Sequence, residues 1–436
     1  MLCLLCQWIF IIPVYSQNGR WTIQKCIDYA LQKNIQIQKT LLATETDRVI
    51  LSADKASRFP IVDGSARQNF GWVDRQNDGS NSYTFTGSNS SSYSVNSSVT
   101  LYEGLKLKQT IKQSDINYQA GLYNTETMKE SISLSIMDAF LQILYAEEQV
   151  KNNMNQVDLT EKELNLANER LNVGIISNAD YLQVKSQLAT EKQNLITSQG
   201  LLTTNRVTLM QLMELPVTGD FEIEHPDLMS LIIKSRNLLP DSVYKIALSI
   251  KPQIKSAALH TESTSLEVAI AKSNYMPRLV LDAGFSSGYV GSQNSSGFSF
   301  QLSHNFSPLI GLSLSVPIYH NQQIRSTVEI AKINTQNAKL DEQNTKNQLR
   351  KSIETACTNV ILAQKDFEAS KDQYEAAQES FAVASEKYTQ ELMNAVDFLI
   401  QKTNMITAES KNLQAKYNLI FSYQTLDFYL GIPFNF

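Results

Sequence analysis

The stretch "ERLNVGIISNADYLQVKSQL", residues 169–188, decides the fold. Gly174 interrupts a region rich in charged residues, alanine and leucine that otherwise has a helical pattern. Arg170 before the glycine is typical of a helix C-terminus, and Ser177 followed by Asp180 is typical of a helix N-terminus. The stretch therefore predicts a tight turn between two long helices.

The same unit recurs 217 residues later in the chain. Phe59-Pro60 recurs as Met276-Pro277, Leu101-Tyr102 as Ile318-Tyr319, Asp180-Tyr181 as Asp397-Phe398 and Leu215-Pro216 as Ile432-Pro433, as in 277 − 60 = 217. An internal repeat of this period predicts a duplicated supersecondary unit. We assign the first copy to residues 17–216, the second to 241–436, and an inter-repeat segment to 217–240.

The longest predicted helix of each copy carries a heptad seam, with buried positions three and four residues apart. In the second copy the seam comprises Ile353, Ala356, Val360, Ala363, Phe367, Ser370, Tyr374, Ala377, Phe381, Ala384 and Tyr388. The first copy has Ile136, Ala139, Ile143, Ala146, Val150, Asn153, Val157, Thr160, Leu164, Ala167 and Leu171. Large and small residues alternate, which favours close left-handed coiled-coil packing over a length of roughly 100 Å.

Between the helices lie regions rich in glycine and serine whose apolar residues alternate with period two. They predict strands at about 61–73, 92–102, 278–290 and 309–319, each of a length that suits a tilted membrane strand. A soluble sandwich would show the same local alternation. The aromatic residues near the strand ends favour the membrane and are predicted to face lipid: Phe70, Trp72, Phe285 and Tyr289. The polar turns between strands are expected to face outside.

The N-terminus and the overall composition narrow the functional classes. Residues 1–16 are apolar and uncharged and are typical of a secretory signal peptide, and no later apolar run reaches about 20 residues. A net charge of -5 offers no basic surface for nucleic acid. Histidines are scattered, and only Cys26 and Cys357 follow the signal. We therefore expect no catalytic site, no metal and no cofactor; the protein is not expected to be an enzyme.

Four strands cannot close a barrel in lipid, because an open edge leaves unpaired backbone groups that cost several kcal/mol each. Several protomers are therefore expected to contribute strands to one barrel, and three copies would supply twelve.

These features resemble the TolC-like outer-membrane efflux protein family. The resemblance is carried by the duplicated architecture, by "VTLYEG" (99–104) and "SVPIYH" (315–320) before the long helices, and by the stretch 169–188. It implies a mainly α homotrimeric channel-tunnel in the outer membrane, with a 12-strand β-barrel continuous with a periplasmic helical coiled-coil barrel. Residues 217–240 would be its equatorial region. A periplasmic adaptor and an inner-membrane pump of RND or ABC type would be its partners, besides outer-membrane lipid.

The resemblance also implies site residues at the periplasmic end, where the turns 172–178 and 389–394 join outgoing and returning helices. Arg170, Gly174, Ile175, Asp180 and Lys387 would form the adaptor-docking tip, and Met393, Asp397 and Ile400 the periplasmic aperture. Met393 stands where the family has a basic residue and Ile400 where it has an acid, so apolar closure is expected here. Helix capping alone also explains the residue types around Gly174, and both roles are compatible.

The implied function is passive export of small molecules such as drugs and toxic compounds. The outer-membrane duct of a type I protein secretion system is the alternative. Two further hypotheses explain one feature each: a periplasmic coiled-coil spacer without transport, and a surface adhesin or phage receptor that uses the polar loops.

Overall fold

The computed structural model describes residues 20–76, 83–216, 221–226, 239–291, 296–390 and 392–434. The predicted signal peptide, most of the inter-repeat segment and Glu391 of the second tip lie outside the described residues. None of the described helices combines the length and apolar character that crossing a bilayer would need.

The helices and strands repeat in the same order in both copies, except that the second copy has a short additional helix between its two strands. The first copy consists of α1 (Ile23–Lys33), α2 (Ile35–Ala56), β1 (Ile61–Gln76), β2 (Tyr83–Glu103), α3 (Lys106–Asn172) and α4 (Asn178–Leu212). The second consists of α5 (Pro240–Ile250), α6 (Pro252–Ser273), β3 (Arg278–Gly291), α7 (Phe298–His304), β4 (Ser307–Ser315), α8 (Gln323–Thr389) and α9 (Ala395–Tyr429). The long helices α3 and α8 both contain 67 residues, and α4 and α9 both contain 35. Their first residues are 217 positions apart, as in 323 − 106, which confirms the repeat.

The chain divides into two compact units. The described residues of Met1–Gln38, Met128–Ile250 and Leu349–Phe436 form a helical unit, and those of Lys39–Thr127 and Lys251–Gln348 form a second unit that contains the strands. Every residue of both predicted seams is buried or half-buried in the helical unit, which confirms the heptad assignment. Its main core surrounds Ile136, Phe140 and Ile143, which are fully buried.

The second unit contains one antiparallel sheet in the order β1-β2-β3-β4. Its register pairs Ala66 with Tyr93, Tyr93 with Ser287, and Ala283 with Ile310, so these side chains share one apolar face. Among the described residues, β1 and β4 each pair on one side only and are the sheet edges. The fold is thus mainly helical with a small sheet whose two edges are open.

The strands differ from their predicted bounds in two places. β2 begins at Tyr83, earlier than expected, because the Ser-rich segment before position 92 pairs fully with β1. β4 ends at Ser315, before Pro317, whose missing N–H cannot continue a ladder. The segment preceding β4, expected to be a polar turn, contains the helix α7 instead.

Candidate functional site

The turn after α3 depends on the backbone of Gly174. Its φ of 78° lies in the left-handed region, which L side chains adopt at a cost. The Gly174 N–H donates to Leu171 O (3.0 Å) and the Ile175 N–H to Arg170 O (2.9 Å), the paired bonds of a Schellman motif. A Cβ at Gly174 would meet nothing within 4 Å, so the backbone angle alone requires glycine.

Gly174→Ala is therefore expected to loosen the tip without a steric clash. Placing alanine in the left-handed region costs about 1–2 kcal/mol. We expect hydrogen exchange of the backbone amides in residues 171–176 to become roughly 5–30 times faster. Gly200→Ala is the matched control, because Gly200 lies inside α4 and also has open space, and alanine there strengthens the helix. Unchanged exchange in Gly174→Ala would contradict the strain argument.

Both returning helices begin with a side-chain cap. At α4 the Ser177 Oγ accepts from the Asp180 N–H (3.1 Å), and the Asp180 carboxylate accepts from the Ser177 N–H (3.2 Å), which forms a capping box. At α9 the Asn394 Oδ1 accepts from the Asp397 N–H (2.8 Å), and the Asn394 Nδ2 donates to the Asp397 carboxylate (2.9 Å). Asp180 and Asp397 therefore have structural roles, whatever else they do.

Arg170 connects the two tips. Its guanidinium donates to the last carbonyls of α8, those of Tyr388 (3.4 Å) and Thr389 (3.3 Å), and lies 5.3 Å from the centre of the Tyr388 ring. Tyr388 also stacks on Phe398 with ring centres 4.5 Å apart. Burial is the main cause that raises the pKa of the Tyr388 hydroxyl, and the positive charge of Arg170 opposes it. Tyr388 was predicted only as a seam residue; its contact with Arg170 is visible only in the folded chain.

A cleft of about 420 Å³, here called the tip cleft, lies between the two turns. It is lined by Arg170, Ile175, Ile176, Ser177, Asp180, Tyr388, Leu392, Met393, Asn394 and Ala395. Four of the eight residues predicted for the tip and the aperture line it. Of the other four, Gly174 lies in the turn, Lys387 and Asp397 are exposed, and Ile400 is half exposed. At the cleft, Ile175 and Leu392 remain 52% and 73% exposed, so both turns present an apolar side chain to solvent.

The aromatic residues predicted to face lipid lie on the apolar face of the sheet in two environments. Phe70 and Trp72 on β1 are largely exposed. On β3, the Phe285 ring contacts Phe306 (5.8 Å between centres), and Tyr289 contacts Phe298 of α7 (5.3 Å). The β3 pair is thus partly covered by a segment that the sequence pattern did not predict to be ordered.

A fully buried lysine lies near the tip in the helical unit. Lys402 of α9 donates from Nζ to Thr160 Oγ1 (2.6 Å) and to Glu163 Oε2 (2.8 Å), and its Nζ lies 3.7 Å from Glu191 Oε1. Thr160 also donates to the Glu191 carboxylate. These four residues, the buried lysine network, join α9 to α3 and α4. Burial raises the pKa of the Glu163 carboxyl, and Lys402 only partly offsets this.

This raised pKa predicts a pH dependence of stability. Above the ordinary glutamate value, 4.5, the folded state retains a proton on Glu163 that the unfolded state has lost. The free energy of unfolding should therefore fall as pH rises from 4.5 to the raised pKa, and Glu163→Gln should remove this part of the slope. Unfolding curves at a series of pH values measure it. Glu161→Gln, an exposed neighbour on α3, is the control, and equal slopes in both variants would contradict the assignment.

A comparison with known protein families finds one family that matches both copies of the repeat. Residues 26–214 match the family described as outer membrane efflux protein, and residues 243–432 match it again. The chain belongs to this family. Both copies of the repeat match the outer membrane efflux protein family, and the protein is an efflux channel of the outer membrane.

Individual members of the family are similar over most of their length. Toxin and drug export protein A of Aggregatibacter actinomycetemcomitans is 24% identical over 93% of this chain and 86% of its own length. Outer membrane protein TolC of Escherichia coli is 22% identical over 79% of this chain and 70% of its own. Among solved structures, the CmeC outer membrane channel of Campylobacter jejuni has a TM-score of 0.79, with 17% identity over 94% of this chain and 85% of that one. The fold is therefore that of the outer-membrane channel-tunnels.

Proposed function

We propose that three copies of this chain form the outer-membrane duct of a tripartite export system. The supporting observation is the four-stranded sheet with two open edges, β1 and β4. An open edge in lipid leaves backbone groups unpaired at several kcal/mol each. Pairing β4 of one protomer with β1 of the next removes these edges, and three copies close a barrel of twelve strands.

The tip cleft is proposed as the docking site of a periplasmic adaptor, which connects the duct to an inner-membrane pump of RND or ABC type. Ile175 and Leu392 offer exposed apolar contacts at two related turns, and Arg170, Asp180 and Lys387 add charges of both signs around them. Such a patch, apolar with a polar surround, suits a protein partner. Arg170 and Asp180 each cap a helix end, and the part of each side chain that remains accessible would contact the adaptor.

Met393, Asp397 and Ile400 are proposed to surround the periplasmic aperture of the trimer. Met393 packs against a small core that contains Phe398 and Leu399, while Ile400 is half exposed. In a trimer, three copies of Met393 and Ile400 around the axis would close the pore by excluding water. Three Asp397 carboxylates would attract cations.

Met393→Ser is expected to raise the resting conductance of the duct, because a hydroxyl wets the constriction that methionine keeps dry. Single-channel recording of the purified full-length protein in planar bilayers measures this. Met405→Ser on the same helix is the control, since Met405 is buried in the helix packing. Inserted protein that conducts in neither form would contradict the proposed duct, and equal conductance of Met393→Ser and wild type would contradict the aperture.

Small molecules, including drugs and toxic compounds, are the proposed cargo, moved passively through the duct by the energy of the pump. The relative named toxin and drug export protein A supports the export of such compounds. Type I protein secretion is the second candidate function. The duct performs no catalysis and requires no cofactor in this proposal.

A further inference from the structure

The two copies differ at the start of β4, which begins later than the offset of 217 from β2 predicts. With the offset of 217, Tyr83 of β2 corresponds to Phe300, and in the first copy the residues after Tyr83 pair with β1. In the second copy the ladder between β3 and β4 ends at the pair Ser286–Ser307, although β3 continues to Gly291. In the part of the chain that the structure describes, the last five residues of β3 thus have no partner on β4.

Two side-chain amides bind the backbone groups left at this edge. Gln301 of α7 accepts from the Val290 N–H (3.0 Å) and donates to the Val290 carbonyl (3.1 Å), as a neighbouring strand would. Asn305 donates to the Gly288 carbonyl (2.8 Å). The Ser287 hydroxyl donates to the carbonyl of Leu302 (2.6 Å), which fixes α7 from the opposite direction. The segment 296–306, here called the edge cap, therefore replaces the missing strand.

The edge cap lies on the apolar face of the sheet. Its contacts with Phe285 and Tyr289 are on that face, and a largely apolar groove of about 560 Å³ between cap and sheet is lined by Ala66, Tyr93, Val95 and Phe285 among others. The exposed surface of the cap is rich in aromatic rings: Phe298, Phe300 and Phe306 remain 47%, 54% and 56% exposed, beside the exposed Ser299, Ser303 and His304. The cap thus adds exposed aromatic rings to the apolar face.

The sequence around the cap contains no acidic residue, lysine or arginine, and its histidines are His304 and His320. Residues 283–324, a run of 42, include no Asp, Glu, Lys or Arg, whereas the first copy has Asp63, Arg67, Asp74 and Arg75 in β1 alone. A water-facing loop has no reason to exclude every charge, while a segment in hydrocarbon does, because an unpaired charge there is costly.

We propose that the edge cap is a lipid-contacting element that seals the edge of β3 and presents its phenylalanines to the acyl chains of the outer membrane. This rests on the proposed duct, in which the apolar face of the sheet is turned to lipid. The amides satisfy the N–H and carbonyl of Val290 and the carbonyl of Gly288, which would be costly to leave unpaired in hydrocarbon. The aromatic side chains provide a surface that suits lipid.

Spin-label accessibility tests the proposal in the reconstituted mature protein, with Cys26 and Cys357, the cysteines that follow the predicted signal peptide, replaced by alanine. A nitroxide at Phe300→Cys is compared with one at Ile310→Cys, on the apolar face of β4, and one at Asn96→Cys, on the polar face of β2. We expect positions 300 and 310 to collide more with oxygen than with a water-soluble nickel complex, and position 96 to show the reverse preference.

The outcomes separate the two proposals. Preference for the nickel complex at 300 but for oxygen at 310 overturns the edge cap as a lipid contact and leaves the duct intact. Low accessibility of 300 to both reagents assigns the cap to a contact with a second copy and also overturns it. Nickel preference at 310 itself would show that the apolar face does not meet lipid, so the duct and the cap would both fail.

The same spin label at position 300 tests the hydrogen bonds of the Gln301 and Asn305 side chains. Adding Gln301→Leu and Asn305→Leu to Phe300→Cys should sharpen the spectrum, because α7 loses its bonds to Val290 and Gly288 and moves faster. Ser299→Leu, on an exposed position of the same helix, should leave the line shape unchanged. Identical spectra in the amide variant and its control would overturn the sealing role.

Discussion

Replacing Lys402 by methionine is expected to lower the free energy of unfolding of the helical unit by about 3–5 kcal/mol, the usual cost of removing one partner from a buried ion pair. Methionine fills a similar volume, so the loss arises from charge. Without the ammonium group, Glu163 and Glu191 remain close to each other in the interior. The neutral donors that remain, the Thr160 hydroxyl and the Gln187 amide, both bind Glu191 and cannot compensate two carboxylates. Loss of the far-UV circular dichroism signal in urea measures the change.

Two further variants show whether the charge is the cause. Lys185 is the equivalent lysine of the first copy, because 402 − 217 = 185, and it lies exposed on α4, so Lys185→Met should change stability by no more than about 0.5 kcal/mol. Combining Lys402→Met with Glu163→Gln and Glu191→Gln should recover much of the loss, since no buried charge remains unpaired. A single Lys402→Met variant as stable as wild type would show that the buried lysine network is not formed.

Ile175→Lys is expected to reduce export strongly while leaving the protein assembled. If Ile175 lies in the docked interface, a lysine there buries an unpaired charge beside Arg170, and loss of a central contact of this kind costs about 2 kcal/mol or more, roughly a 30-fold loss of affinity. Cells should then accumulate a fluorescent efflux probe such as ethidium to the level of a strain that lacks the duct.

The control is a substitution of the same type away from the tip. Ile196 lies on α4 and is 69% exposed, more than Ile175, so Ile196→Lys tests a new surface lysine without touching the tip cleft. Export that fails equally in both variants would point to a general defect of assembly. Normal export in Ile175→Lys would remove Ile175 from the docking surface.

The sequence was sufficient for the repeated helical framework. The offset of 217, the heptad seams and the isolated Gly174 are local or periodic signals, and each follows from one geometric requirement: a fixed helical period or a left-handed backbone angle. These signals placed α3, α4, α8 and α9 and the first tip turn, because long regular helices leave few alternatives.

The remaining features depend on contacts between distant parts of the chain. The pattern before β4 has no clear period, so α7 could not be separated from a polar turn until Gln301 and Asn305 were seen to bind β3. The contact between Arg170 and Tyr388 joins residues 218 positions apart. The position of Lys402 did indicate burial, because it follows Ala395 and Phe398 at heptad spacing. Lysine is normally exposed, however, and the partners of Lys402 come from the other copy of the repeat.

In-cell photo-crosslinking from a photoreactive residue at position 175, with mass spectrometry of the products, tests the central claim most directly. The same residue at position 196 serves as control. We predict that position 175 captures a periplasmic adaptor that position 196 does not, and the pump that co-purifies with it distinguishes drug efflux from protein secretion. Capture of only peptidoglycan or of further copies of this chain at position 175 would contradict a docked export duct.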